Sequence, residues 1–167
     1  MGVSRSLTQI DLSNNFLRVE GGKAIAEGIA VSRSLTSIGL KLNQIGAEGW
    51  GAIFAAVCGS AECNITTIDA SGENLGVAGA KAVAKALQGS VSRSLTQINL
   101  AQNSIGGYYD SKQGEWISTP EGPKAIADAI HVSPSLTSID LSRNDLDDDA
   151  KSELERARGP NLKQLEL

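Results

Sequence analysis

The sequence predicts a single α/β domain built of stacked repeats, in which short parallel strands alternate with helices. A Leu-x-x-Ile-x-Leu-x-x-Asn-x-Leu pattern returns along the chain, and the segment after each copy has helical spacing. The copies begin at Leu7, Leu35, Ile65, Leu95, Leu136 and Leu162. A unit of this size does not bury its own apolar face and must stack on its neighbours. We therefore divide the domain, residues 1–167, into units near residues 6–33, 34–63, 64–93, 94–134 and 135–160, with a partial unit at 161–167.

Each complete unit is predicted to contain one strand and one helix. The alternation of Ile10 and Leu12 has the two-residue period of a strand with one buried face. Farther on, Ile25 and Ile29 lie four residues apart and so share one helical face. Successive strands separated by a helix need a crossover connection, which makes them parallel. The Asn of the pattern, such as Asn15, suits a turn in which its amide donates to and accepts from backbone groups of adjacent units.

This pattern resembles the leucine-rich repeat family, and specifically its ribonuclease-inhibitor-like subclass, in which every unit has a full helix. The resemblance extends from Leu7 to Leu167. It implies a solenoid of about five repeats plus a terminal strand, with a curved parallel sheet on the concave side and helices on the convex side. It also implies a non-catalytic protein-interaction module, because such a fold offers an extended surface rather than a cavity.

Three alternatives stay open at this point. Ran-activating proteins use this repeat subclass, so a GTPase activator is one alternative, although no arginine here matches a catalytic loop position of that family. An actin-capping domain similar to the C-terminal domain of tropomodulin is the second. The third is a fragment of a longer repeat receptor.

Composition excludes several classes of function. The net charge of -4 argues against a nucleic-acid partner held by phosphate contacts. No apolar run approaches the roughly 20 residues of a membrane helix, so no membrane association is expected. Cys58 and Cys63 are interpreted as reduced thiols of a cytoplasmic protein, with a disulfide between them as the alternative. No motif for a metal, a cofactor or a catalytic group is present.

The strand residues that alternate with the buried ones should face the open side of the sheet. Their central column contains Asp11, Gly39, Asp69, Asn99, Asp140 and Glu166, and Lys41 lies in the next column. We predict that Asp11, Lys41, Asp69, Asn99 and Asp140 contact a basic partner protein. The alternative is a solvated sheet face that only keeps the array soluble. Asp11 and Asp69 are predicted two strands apart, about 10 Å, with no enclosure, which does not favour carboxylate catalysis.

The fourth unit contains an insertion at residues 106–119 that holds half of the aromatic residues of the chain. Tyr108 and Tyr109 precede a polar turn, and Trp116 follows it, so a small hairpin is expected. Thr119 before Pro120 is expected to cap the next helix. The insertion is either a recognition loop, since Tyr and Trp are favoured at interfaces, or a flap whose rings seal the neighbouring turn.

The third unit departs from the pattern at two buried positions. Ala70 replaces Leu, and Glu73 replaces the Asn. We expect a thinner core there, with roughly 2 kcal/mol of apolar burial lost, and a turn in which Gly72 lets Asn74 take the missing role. A further hypothesis is homo-association through uncapped ends of the array, which light scattering showing a monomer would exclude.

Overall fold

Strands and helices alternate as predicted in a computed structural model, which describes residues 7–91 and 93–167. The strands are β1 (Gln9–Asp11), β2 (Ser37–Gly39), β3 (Thr67–Asp69), β4 (Gln97–Asn99), β5 (Gly107–Asp110), β6 (Glu115–Ser118), β7 (Ser138–Asp140) and β8 (Gln164–Glu166). The helices are α1 (Arg18–Val31), α2 (Gly46–Cys58), α3 (Gly76–Gln88), α4 (Glu121–Val132) and α5 (Asp148–Arg156). Six strands form one parallel sheet in the order β1-β2-β3-β4-β7-β8, and β5 and β6 form a separate antiparallel pair. The predicted fold class is confirmed.

Equivalent residues of successive units lie side by side in the parallel sheet. Ile38 pairs with Ile68, Ile68 with Ile98, and Ile98 with Ile139. These four side chains are buried and belong to one continuous core with the inward faces of the helices. The register follows from the pattern, because a slip of one residue would turn every apolar side chain to the other face.

Buried asparagines join neighbouring units. The Nδ2 of Asn43 donates to the carbonyl oxygens of Leu40 in its own unit, at 2.7 Å, and of Leu12 in the unit before, at 2.9 Å. Its Oδ1 accepts the backbone N–H of Asn15 at 2.8 Å. Asn103 and Asn144 make the same kinds of contact in later units. The predicted role of Asn is confirmed: its amide satisfies backbone groups that the turn would otherwise bury unpaired.

Glu73 performs the acceptor half of this role with two oxygens. Its Oε1 accepts the backbone N–H of Asn43 at 2.5 Å, and its Oε2 accepts that of Ile45 at 2.8 Å. The Oε2 also accepts the indole N–H of Trp50 at 3.2 Å. The side chain is buried, whereas Asn74 is exposed with a φ of 54°. The expectation that Asn74 replaces the ladder amide is therefore wrong.

Two buried aromatic side chains lie in the core next to the third unit. Helix α2 has Trp50 and Phe54 at the positions where α1 has Gly22 and Ala26, and both aromatic side chains are fully buried. Their ring centroids lie 5.9 Å apart. Trp50 also reaches the Glu73 carboxylate of the next unit, and Ala70 itself is fully buried in the same continuous core. The expectation of a thinner core at the third unit stays a prediction.

Candidate interaction surfaces

The sheet register brings the predicted concave-face residues into one row. Asp11 pairs with Gly39, and Gly39 with Asp69, so Gly39 separates the two aspartates. The row then continues through Asn99, Asp140 and Glu166. Asp69, Asn99 and Asp140 are half-buried and Asp11 is exposed. The predicted column thus exists as one row across the sheet, the concave strip, with its polar side chains interrupted at Gly39.

Most residues of this strip also have a structural role that the sequence interpretation missed. The Oδ1 of Asp69 accepts the backbone N–H of Ser71 at 3.1 Å, and the Oδ1 of Asp140 accepts that of Ser142 at 2.9 Å. Asp11 and Asn99 make the same contact two residues onward. These are Asx turns, which start the bend after each strand. The sequence does contain a signal for these Asx turns, because Asp or Asn recurs at the end of most strands, just before the turn.

Lys41 reduces the acidity of one end of the strip. The Ser13 hydroxyl and backbone N–H hold the pKa of Asp11 below its ordinary value, and the charge of the exposed Lys41 adds to this effect. At that end Lys41 and Asp11 offset each other, and Gly39 contributes no charge. The acidic part of the strip therefore lies toward β7 and β8.

The insertion forms the expected hairpin, and its aromatic side chains are exposed. Strands β5 and β6 pair antiparallel, with Tyr109 opposite Trp116 and Tyr108 opposite Ile117. The exposed fractions are 52% for Tyr108, 60% for Tyr109 and 42% for Trp116. The rings do not seal the neighbouring turn, so this alternative is wrong. Because strand side chains alternate, Tyr109 and Trp116 share one face of the hairpin and Tyr108 lies on the other.

The base of the hairpin is attached to the fifth unit. The backbone N–H of Gly106 donates to the carbonyl of Asn144 at 2.9 Å, and the hydroxyl of Ser118 donates to the Oδ2 of Asp147 at 2.7 Å. Thr119 does not cap α4 as expected, since the N-cap residue is Pro120, which makes no side-chain cap, and the Thr119 hydroxyl has no partner among the described residues. The hairpin is therefore positioned by contacts with the next repeat.

Asp147 is predicted to make this attachment pH-dependent. Its Oδ1 caps α5 by accepting the backbone N–H of Ala150 at 2.8 Å, and this bond, followed by the one from the Ser118 hydroxyl, lowers the pKa of Asp147. A carboxyl with a lowered folded-state pKa stabilises the fold above the ordinary Asp value, and loses that contribution as the pH falls through the lowered value. The difference in unfolding midpoint between wild type and Asp147→Ala should thus stay constant from about pH 7 to pH 5 and shrink below about pH 4.

Urea denaturation at successive pH values measures this difference. Asp148→Ala is the matched control, since Asp148 is also exposed at the start of α5 but is not its cap. A difference for Asp147→Ala that is unchanged down to pH 2.5, about one unit below the ordinary Asp range, would show that the carboxylate form is not what anchors the hairpin.

The two cysteines are placed for packing. Cys58 and Cys63 are buried free thiols. Burial raises the pKa of Cys58 to about 11 and also raises the pKa of Cys63. Thiols with raised pKa values are poor nucleophiles and poor metal ligands at neutral pH. Within residues 7–91 and 93–167, no three His, Cys, Asp or Glu side chains are grouped to hold a metal ion.

The first unit leaves part of the apolar core open. Leu7 is 45% exposed, and it lines a groove with the half-buried Ile10, Leu12 and Ile25. In later units the equivalent strand residues are covered by the preceding repeat. Homo-association through this end of the array stays a prediction. None of the helices in the described part of the chain combines the length and apolarity that crossing a membrane requires.

Comparison with known proteins identifies the repeat. A family model described as "Leucine Rich repeat" matches residues 3–26, 31–54 and 132–150. These three segments are leucine-rich repeats. No curated protein sequence matches it significantly. The inferred repeat family and the observed solenoid therefore agree.

Solved leucine-rich repeat domains share the fold. The structure titled "Leiomodin-1 Actin-Binding Site 2 (ABS2)" matches with a TM-score of 0.71 and 13% identity, over 93% of this chain and 80% of that one. The tropomodulin C-terminal domain of Caenorhabditis elegans matches with a TM-score of 0.65 and 13% identity, over 92% and 83%. The leucine-rich repeat-containing protein LegL7 of Legionella pneumophila gives a TM-score of 0.43 and 15% identity, over 97% and 65%. At these identities the first two likenesses establish the fold alone.

Proposed function

We propose that this leucine-rich repeat protein is a non-catalytic protein-interaction module. Its binding surface comprises the hairpin of residues 106–119 and the acidic part of the concave strip. The observation that carries the proposal is the exposure of Tyr108, Tyr109 and Trp116 on one small hairpin. A cytoplasmic location goes with this proposal.

The exposed rings are costly unless a partner covers them. Each ring leaves apolar area in water that burial would stabilise by about 25 cal/mol per Å². Elsewhere the chain buries its aromatic side chains, as with Trp50 and Phe54, or leaves a single ring such as Phe16 exposed. Three exposed rings together on an insertion match the composition of interface centres, where Trp and Tyr contribute most of the binding energy.

The concave strip adds electrostatic selectivity. Asp69 and Asp140 each use one carboxylate oxygen in an Asx turn, which leaves the second oxygen for a partner. The proposed contact set on the sheet is Asp11, Lys41, Asp69, Asn99 and Asp140. Charges that surround an interface raise the association rate and exclude wrong partners more than they raise affinity.

Affinity capture with matched variants tests this proposal. We predict that Tyr109→Ala with Trp116→Ala reduces the amount of each specific partner captured from lysate by at least about tenfold, since hot-spot aromatics each contribute about 2 kcal/mol or more. Asp69→Lys with Asp140→Lys should also reduce capture, with a larger effect at low salt. The control is Val132→Ala, which removes an exposed apolar side chain from α4. If the aromatic variant and this control recover the same partners as wild type, the hairpin is not a binding surface.

Actin is the second candidate for direct testing. The leiomodin-1 domain, which shares this fold with a TM-score of 0.71, is named for actin binding. The likeness is one of fold, so the proposal needs its own measurement: elongation of labelled actin filaments with and without the protein. Unchanged elongation and no co-sedimentation would remove this candidate. A GTPase-stimulation assay tests the Ran-activator alternative in the same way.

A further inference from the structure

The Tyr109–Trp116 face of the hairpin lies beside a group of carboxylates that are absent from the ion pairs of the described residues. These two residues and Ser118 share one face, because side chains two residues apart on a strand point the same way. The Ser118 hydroxyl bonds to Asp147, so this face adjoins the start of α5. The backbone of Gly106 also runs close to that of Asp145, since a Cβ at Gly106 would lie 2.5 Å from the Asp145 carbonyl oxygen. The aromatic pair and this acidic segment therefore belong to one surface.

Four exposed aspartates give this surface a net negative charge. They are Asp145, Asp147, Asp148 and Asp149. The ion pairs among the described residues involve other carboxylates, namely Glu20, Glu48, Glu62, Glu153 and Glu155. The N-terminus of α5 contributes about +0.5 charge, and Lys151 and the nearby Arg143 add one each, so that about 1.5 of the four negative charges are not offset. Hydrogen bonds, first from Ala150 N–H, also lower the pKa of Asp147 and keep it charged.

The aromatic pair has a fixed arrangement. Trp116 packs over Gly107, since a Cβ added to Gly107 would lie 2.7 Å from the indole Nε1. Gly107 thus provides the space that the indole occupies, and the pairing of Tyr109 opposite Trp116 places the second ring on the same face of the hairpin. Two rings held on a strand pair lose little conformational freedom when a ligand covers them.

We propose that this surface binds an arginine-rich segment of a partner protein. The guanidinium group is planar, stacks on Tyr and Trp rings, and forms paired hydrogen bonds with carboxylates, so it uses both components of the surface at once. A lysine ammonium satisfies the charge but stacks less well, and an acidic segment is repelled. This inference rests on the proposed interaction function, and names the chemistry of the partner and the part of the hairpin that recognises it.

The concave strip is the competing site for such a segment. Its aspartates are spread over separate strands, each gives one oxygen to an Asx turn, and the strip has no aromatic residue. It therefore lacks the stacking partners that distinguish arginine from lysine. Binding at the hairpin and binding at the concave strip would be impaired by different substitutions, so mutagenesis can distinguish the two sites.

Defined peptides test the inference on the whole chain. The probes are labelled dodecapeptides of four Arg-Gly-Ser repeats, with Lys and Glu counterparts, measured by fluorescence anisotropy at low and moderate salt. We expect the Arg peptide to bind several-fold more tightly than the Lys peptide and the Glu peptide not to bind. The Arg peptide should also protect Trp116 from acrylamide quenching, while the buried Trp50 supplies a constant signal.

Variants locate the site. Tyr109→Ala with Trp116→Ala, and separately Asp145→Asn with Asp148→Asn and Asp149→Asn, should each weaken the Arg peptide by about tenfold or more. The matched control is Asp69→Asn with Asp140→Asn, which removes concave charges while keeping the Asx turns, as Asn99 shows. Its effect should stay within about twofold. Three results would overturn the inference. The first is loss of Arg-peptide binding in this control while the other two variants still bind. The others are equal affinity for the Arg and Lys peptides, and no binding of the Arg peptide to wild type.

The same reagents separate this inference from the proposed function. The Arg peptide is added as a competitor to captured partners. If the aromatic variant loses its partners but the Arg peptide does not displace them from wild type, the interaction function stands and the arginine-rich partner is wrong. If the aromatic variant retains all partners, the proposed interaction function of the hairpin is wrong, and the arginine-rich partner that rests on it is wrong as well.

Discussion

Replacing Glu73 with alanine will lower the free energy of unfolding by about 3–5 kcal/mol, because three buried donors lose their acceptor. The backbone N–H groups of Asn43 and Ile45 and the indole N–H of Trp50 all donate to this carboxylate, and the residue is 3% exposed. The amide oxygen of Asn103 in the neighbouring unit already accepts the backbone N–H groups of Glu73 and Leu75. Urea denaturation followed by circular dichroism measures the change.

Two further variants show whether the acceptor oxygens are the cause. Glu73→Gln keeps one acceptor oxygen but turns an amide NH₂ toward donors, so its loss should be intermediate. Glu27→Ala removes an exposed glutamate from α1 and should change the free energy of unfolding by less than about 0.5 kcal/mol. A Glu73→Ala protein within 1 kcal/mol of wild type, roughly the size of a single ordinary hydrogen bond, would mean that water replaces the carboxylate and that the turn does not depend on it.

The regular parts of the fold were predictable from local spacing. The Ile-x-Leu alternation placed the strands, because a two-residue period and one buried face determine both the strand and its register. The role of Asn43 was also predictable, since a buried amide at a turn must donate and accept. The hairpin followed from aromatic runs on both sides of a polar turn, as the pairing of Tyr109 with Trp116 confirms.

The deviations were only partly predictable, because they depend on contacts between units. Glu73 and Trp50 are far apart in sequence, and each departs from the repeat at its own position. Taken alone, Glu73 is a loss of the repeat's Asn, and Trp50 is a large side chain where the repeat has a small one. Only the structure shows that one satisfies the other. Similarly, the strand alternation predicts that the side chain of Asp69 faces the open side of the sheet, but it does not reveal that this side chain also forms an Asx turn with Ser71.

The candidate site also combines features that local sequence predicts with features that depend on contacts between units. The exposure of Tyr108, Tyr109 and Trp116 is the observation that supports a binding hairpin, and exposure is not encoded in the local pattern. The bond between Ser118 and Asp147 joins residues of different repeats, so the surface that unites the aromatic pair with the acidic start of α5 emerges only from the stacking.

Truncating Trp50 to alanine is the second change with a large expected effect, a loss of about 3–5 kcal/mol in the free energy of unfolding. The indole is fully buried in the core, and its ring packs against Phe54. Trp50→Phe keeps the larger part of the ring volume and removes the N–H that donates to Glu73, so it should cost less, about 1–2 kcal/mol.

A double-mutant cycle between Trp50→Phe and Glu73→Gln isolates the bond between the two side chains. Because Trp50 and Glu73 are in direct contact, their effects should not add, and the interaction energy should be about 0.5–3 kcal/mol. Additive effects would show that Trp50 acts through volume alone. In that case the aromatic residue and the glutamate would be independent departures from the repeat rather than a matched pair that replaces one asparagine of the ladder.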